Sequence, residues 1–142
     1  MNIYKLGWMI VVGSLFLAFP ATAQDRSQVQ EQDIQGSRGY NEAKQLEGRW
    51  VREDGGYMLV LQDFKPDGSL KAFYYNPRQI NVHEANWKFE DDRLILYVEL
   101  RDVNYPGSNY SLMYRASNDS LWGIYYQAVL QQNIDVVFVR SR

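Results

Sequence analysis

Between Leu46 and Arg140 the apolar residues recur with a period of two, interrupted by turn signals about every dozen residues. The clearest stretch runs from Arg93 to Asp102. There Leu94, Leu96, Val98 and Leu100 occupy every second position, and Asp102 continues their face. Alternation puts successive side chains on opposite faces of a strand, whereas a helix needs a period near 3.6. A chain patterned this way must bury one face of a sheet.

Strands are expected over residues 46–52, 57–64, 69–76, 81–90, 93–102, 109–116, 120–128 and 132–140. The connections carry turn chemistry: Asp54-Gly55-Gly56, Lys65-Pro66-Asp67-Gly68, Asp91-Asp92 and Ser117-Asn118-Asp119. Proline presets φ and glycine accepts positive φ in such turns. Pro77 cannot donate to a ladder and is expected to end the third strand. Residues 103–108 are read as a loop around Pro106-Gly107. No segment in this region is a helix long enough for a parallel crossover, so the strands form a meander. Eight strands is the number that closes a small barrel and removes its edges. The expected fold is all-β, an eight-stranded antiparallel up-and-down barrel over residues 46–142.

The residues ahead of it read differently. Lys5, the apolar run from Leu6 to Phe19, Pro20 and the small-x-small trio Ala21-Thr22-Ala23 have the form of a signal peptide over residues 1–23, cut after Ala23. An uncleaved anchor is the alternative, although the run is shorter than the roughly 20 apolar residues of a spanning helix. Export places the chain in the periplasm or outside the cell, with no membrane span after cleavage. The chain has no cysteine, which removes lipid attachment at the cut, disulfides and thiol chemistry. Residues 24–45 are rich in Gln, Asp, Ser and Gly and read as a flexible polar leader, with Tyr40 to Gln45 able to form one helical turn. Lys5 is the only charged residue before the cut, so 14 of the 15 basic residues face all 17 acidic ones, a net charge of −3. The basic residues form no stripe, which argues against a nucleic-acid partner.

Leu46-Glu47-Gly48-Arg49-Trp50 resembles the opening of calycin barrels, the group that includes lipocalins, fatty-acid-binding proteins and avidins. The resemblance implies that Arg140, on the last strand, packs over the Trp50 ring, so Gly48, Trp50 and Arg140 are expected to be structural. The avidin branch is the most similar, through the Gly-Gly turn, Asp67-Gly68-Ser69-Leu70 and an aromatic pair, then Leu121 to Gln127. On that resemblance Tyr74 matches a ligand-binding tyrosine, and Asn76 matches a binding serine or threonine. Arg52 and Gly56 stand where avidins have a binding asparagine and serine, and Leu100 replaces a walling tryptophan. An avidin-shaped barrel without the biotin site is therefore implied.

Strand parity gathers scattered residues into a constellation. Long loops fall at one rim and tight turns near Asp67, Asp91 and Asn118 at the other, which describes a cup. Tyr74, Asn76, Asp102, Tyr110, Tyr125 and Gln127 face inward near the mouth, with Asn104 and Tyr105 on the rim. These eight are the candidate ligand-binding residues. Ala72 and Gly123 are expected to leave room at mid-depth. An apolar wall with a few convergent polar groups is the make-up of a small-molecule pocket. Two other readings stay open: the polar residues cap loops, or the barrel is filled by its own side chains.

Catalysis is not indicated. His83 is the only histidine, no carboxylate pair is evident, and no metal or cofactor is implied. The expectation is an exported, non-catalytic barrel binding a small, partly apolar ligand at its open end. The alternative is a secreted protein-interaction module, an inhibitor or envelope assembly factor, using outward Phe73, Tyr75, Trp122 and Tyr126. Those aromatics also suit a homo-oligomer.

Overall fold

The computed structural model describes residues 23–141. The expected signal peptide, apart from Ala23, lies outside them. Nine strands form one antiparallel sheet: β1 (Gly48–Arg52), β2 (Met58–Gln62), β3 (Lys71–Asn76), β4 (Arg78–Ile80), β5 (Val82–Glu90), β6 (Arg93–Asp102), β7 (Tyr105–Arg115), β8 (Ser120–Gln127) and β9 (Gln132–Arg140). Their order is β4-β3-β2-β1-β9-β8-β7-β6-β5. The first and last strands are thus neighbours mid-sheet, in the register Trp50↔Arg140, Val51↔Val139 and Arg52↔Phe138. The sheet curls until its ends nearly meet. The Trp87 amide donates to the Gly68 carbonyl at 2.7 Å, and Ser69 forms an isolated bridge with Asn86.

Nine strands correct the expected eight, and the extra one is β4. It turns back on β3 at Pro77, pairing Asn76↔Arg78 and Tyr74↔Ile80, while β5 pairs with β6 from Val82↔Leu100 onward. Strands β4 and β5 are the two arms of one bent strand with Asn81 at the corner. The Asn81 side-chain amide donates to the Arg101 carbonyl at 3.0 Å, and the Arg101 amide donates to the Asn81 carbonyl at 3.0 Å. Pro77 ends β3 as expected, and it does so at the tip of a hairpin into β4.

The expected loop over 103–108 is also corrected, because β7 begins at Tyr105. Only Val103 and Asn104 remain as the turn, and Asn104 takes φ +70°. Pro106 pairs with Arg101 beside a register shift, and Gly107 has φ +95°. Pairing with β8 begins only at Asn109↔Tyr126, so the missing N–H of Pro106 leaves no partner strand unserved. Proline in a sheet is tolerated at such bulged, one-sided positions.

Inward alternation holds as expected on β6, where Leu94, Leu96, Val98 and Leu100 are all buried. They pack with Leu59, Leu61, Leu112, Leu121 and Phe138. At the narrow-turn end the core is anchored by Trp50, which is fully buried. Its Nε1–H donates to the Leu46 carbonyl at 3.0 Å. The Arg140 guanidinium lies 4.3 Å from its ring centroid, as the calycin resemblance implies. Arg140 also donates from Nε to Asp119 Oδ2 at 2.7 Å, from Nη2 to Asp119 Oδ1 at 3.0 Å, and to the Glu47 and Gln45 carbonyls at 3.2 and 2.9 Å. Gly48 is needed at this point. Its φ is +138°, and a Cβ there would lie 3.3 Å from Arg140 Nη1.

The segment read as a flexible leader is a helix, α1 (Ala23–Lys44). Polarity alone does not exclude a helix, and the segment contains no proline. Only Gly39 and Ala43 of α1 are buried. A Cβ on Gly39 would lie 2.6 Å from Phe89 Cβ, and the Tyr40 ring stacks on Trp87 with centroids 6.4 Å apart. The last turns of α1 thus cover the narrow-turn end of the barrel, and the rest projects into solvent.

Hydrogen bonds from Arg140 and Tyr114 hold the Asp119 carboxyl below its ordinary value of 3.8, against a smaller opposing effect of burial. A lowered folded-state pKa gives stability that is complete above the unfolded value and lost as pH falls through the folded one. Asp119→Asn is therefore expected to weaken the protein toward urea at pH 7. The gap from wild type should narrow as pH falls below about 4; a gap that is constant with pH would contradict the ion-paired role.

Candidate functional site

The opposite rim is open. A cavity of about 370 Å³ lies where the β1–β2, β3–β4, β6–β7 and β8–β9 connections meet. Its lining residues are Arg52, Tyr57, Tyr74, Asn76, Arg78, Ile80, Val103, Asn104, Tyr105, Tyr125, Gln127 and Ile134. Strand alternation puts Tyr74 and Asn76 of β3 on one side of it and Tyr125 and Gln127 of β8 on the other.

Six of the residues named from parity, Tyr74, Asn76, Asn104, Tyr105, Tyr125 and Gln127, line this one cavity. Tyr110 lies beneath it, fully buried. Its hydroxyl is 2.9 Å from the Tyr74 hydroxyl and accepts from Arg52 Nη1 at 3.2 Å. Asp102 is not among the lining residues. Its carboxylate accepts the Asn81 amide at 2.9 Å and the Val103 amide at 2.6 Å, so it holds the β4–β5 corner against the β6–β7 turn.

The cavity floor is aromatic. The Tyr110 ring stacks on Tyr125 with centroids 4.6 Å apart, meets Tyr74 at 5.5 Å and meets Phe138 edge-on at 5.4 Å. Tyr105 approaches Tyr74 edge-on at 6.3 Å, and its hydroxyl accepts from Asn76 Nδ2 at 2.6 Å. Burial, chiefly, raises the phenol pKa values of Tyr74, Tyr110 and Tyr125 above the ordinary 10. These groups stay neutral at ordinary pH and act as hydrogen-bonding phenols, not as bases.

Below the floor lie buried apolar side chains. Gly123 does not leave room at mid-depth, which corrects that expectation. A Cβ on it would lie 1.9 Å from the Ser111 carbonyl oxygen and 2.9 Å from Leu112 Cα. Its small size serves the close approach of β7 to β8. Leu59, Leu61 and Leu112 occupy the interior instead, each buried.

The group that strand reading passed over is Arg52. It ends β1 at an inward position and is 6% exposed. Its guanidinium donates from Nε and Nη2 to the two oxygens of Asp54, at 2.5 and 3.0 Å, and from Nη1 to Tyr110. It also lies 3.8 Å from the Tyr57 ring centroid. Burial alone would lower the Arg52 pKa. The hydrogen bond to Asp54 and the interactions with Tyr110 and Asp54 outweigh that effect, so the pKa stands above its ordinary value. Parity with Trp50 was enough to place Arg52 inside. Arg78 and Ile80 carried no such signal, because they belong to the unexpected β4. Among the described residues no cluster of three or more His, Cys, Asp or Glu suited to a metal ion occurs.

Comparisons with protein-family models, with curated proteins and with solved structures find no match to this chain.

The close approach of β7 to β8 at Gly123 has a direct test. Gly123→Ala is expected to destabilise the protein by about 3 kcal/mol, as overpacking against backbone does, in urea unfolding. Near-wild-type stability in that variant would mean that β7 and β8 do not approach as closely as described.

Proposed function

We propose that this chain is an exported, non-catalytic barrel of calycin type that holds a small, partly apolar ligand at its open end. The observation that carries this reading is the cavity itself. It is concave, measures about 370 Å³, and sets four tyrosine rings and two isoleucines around a few convergent polar side chains. Binding pockets for small molecules have this composition and begin at roughly 300 Å³. The buried Tyr74–Tyr110 pair beneath gives the pocket its floor. The Trp50–Arg140 contact and the nearly closed meander are compatible with the calycin resemblance, and the signal-like sequence at residues 1–23 supports export.

A second reading rests on the outer wall. Outward side chains pair across six strands: Val60↔Phe73 and Met58↔Tyr75, Val51↔Met58, Val51↔Val139, Trp122↔Val137 and Met113↔Trp122. This makes an apolar band on the side of the sheet that faces away from the core, and Ile124 adds a residue that is 43% exposed. Such a band suits contact with a second barrel.

One measurement separates the two. Native mass spectrometry of the mature protein, taken from its host's envelope fraction, is expected to show a small bound mass. Asn104→Ala and Gln127→Ala, which leave the Tyr74–Tyr110 floor intact, are expected to lose most of that mass. A bare multiple of the chain mass, unaffected by these changes, would move the account to the outer band.

A further inference from the structure

The two ionised side chains that line the cavity are both arginines, Arg52 and Arg78; no carboxylate lines it. The barrel wall therefore presents positive charge to whatever enters. The balancing carboxylates are carried elsewhere. Asp54 sits in the turn between β1 and β2, followed by Gly55 and Gly56, with its side chain 54% exposed, while the Arg52 side chain is 7% exposed. Asp102 stands 4.0 Å from Arg78 and is engaged by two backbone amides. Arg78 is 62% exposed, so its charge is only loosely matched.

The Arg52 guanidinium is fixed in place from three sides. Tyr110 accepts from Nη1, the Tyr57 ring lies 3.8 Å away and the Tyr125 ring 5.8 Å away. What remains is the Nε/Nη2 edge, and there a carboxylate already sits in the two-point geometry that guanidinium and carboxylate share. That carboxylate belongs to an exposed two-glycine turn and not to the wall. A Cβ at Gly56 would meet nothing within 4 Å, so the turn has open space beside it.

We propose that the cavity is a site for a small organic carboxylate with a planar, partly apolar body. This rests on the ligand-binding reading above. The ligand carboxylate takes the Nε/Nη2 edge of Arg52 in exchange for Asp54, with Arg78 adding attraction at the rim. The body lies among Tyr57, Tyr105 and Tyr125. Exchanging one carboxylate for another leaves the Arg52 ion pair nearly neutral in free energy, so the affinity comes from burial of the body. Asp54 then acts as an internal competitor that keeps the buried guanidinium paired while the site is empty. A cationic ligand would face two guanidinium groups, and a neutral one would leave Asp54 in place.

Three probes of similar shape and different charge test this: benzoate, benzyl alcohol and benzylammonium, titrated calorimetrically at fixed ionic strength and pH 7. Benzoate is expected to bind at least about ten-fold more tightly than the other two, because Arg78 attracts it at the rim, benzyl alcohol leaves Asp54 on Arg52, and benzylammonium meets two guanidinium groups. It is also expected to shift the Arg52 Nε–H resonance. Asp54→Asn, checked for an unchanged thermal transition, is expected to tighten benzoate by about ten-fold and to leave benzyl alcohol unaffected. If benzyl alcohol or benzylammonium binds as well as benzoate, the anion assignment is overturned while the cavity remains a binding site. If none of the three binds to either protein, the ligand-binding reading falls with it.

Discussion

The stack of Arg140 on Trp50 does three jobs at once. It lies where β9 meets β1, the seam that joins the ends of the barrel sequence. It reaches two carbonyls in the connection between α1 and β1, at Gln45 and Glu47. Through Asp119 it ties down the β7–β8 turn. A guanidinium has five donors in a fixed plane, which is why one side chain can join three chain segments. Lysine could supply the charge without the geometry. Gly48 follows from this arrangement, because a side chain there would have to share space with Arg140.

Sealing the narrow end frees the other end. Trp50, the Phe64–Trp87 contact and the last turns of α1 bury the apolar floor of the cup. The open rim can then carry polar side chains at inward positions without costing the core its contacts. A fully buried pair of tyrosines, Tyr74 and Tyr110, marks the boundary. Above it Asn76 and Tyr105 meet in a hydrogen bond at inward positions; below it the core is apolar, with Leu59, Leu61 and Leu112 beside Phe138 and Trp50. The buried cation Arg52 is tolerated at that boundary because Asp54, Tyr110 and the Tyr57 ring surround it. An unpaired charge at that depth would shift or unfold the site.

Much of this was legible in the sequence, and the failures have physical causes. Period-two alternation gave the inward faces of β3, β6, β7 and β8 correctly, because a face buried on one side is strongly patterned. The bend at Asn81 was invisible: β4 is three residues long, too short to show a period. Pro106-Gly107 has the composition of a turn, yet it lies within β7 because a bulge and one-sided pairing remove the objection to proline. Gly123 looked like empty space because sequence shows that a side chain is missing, not what fills its place. The polar segment before the barrel misled for a related reason: composition reports the lack of an apolar face, and α1 needs only Gly39, Tyr40 and Ala43 to dock. At the site, parity brought six of eight named residues to one cavity. It overlooked Arg52, since a charged residue on an inward position was not weighed as part of the wall.

Native-state hydrogen exchange of the backbone amides tests the seam most directly. If the Trp50–Arg140 contact holds the middle of the sheet together where β1 meets β9, amides of β1 and β9 around Trp50, Arg52 and Val139 should exchange only through global unfolding, as the most protected elements of a domain do. Amides at the mouth, near Gly55, Asn104 and Val129, should exchange through local opening. If the β1–β9 seam opens first, while β5 to β8 remain protected, the barrel is held together elsewhere and does not depend on the Trp50–Arg140 contact.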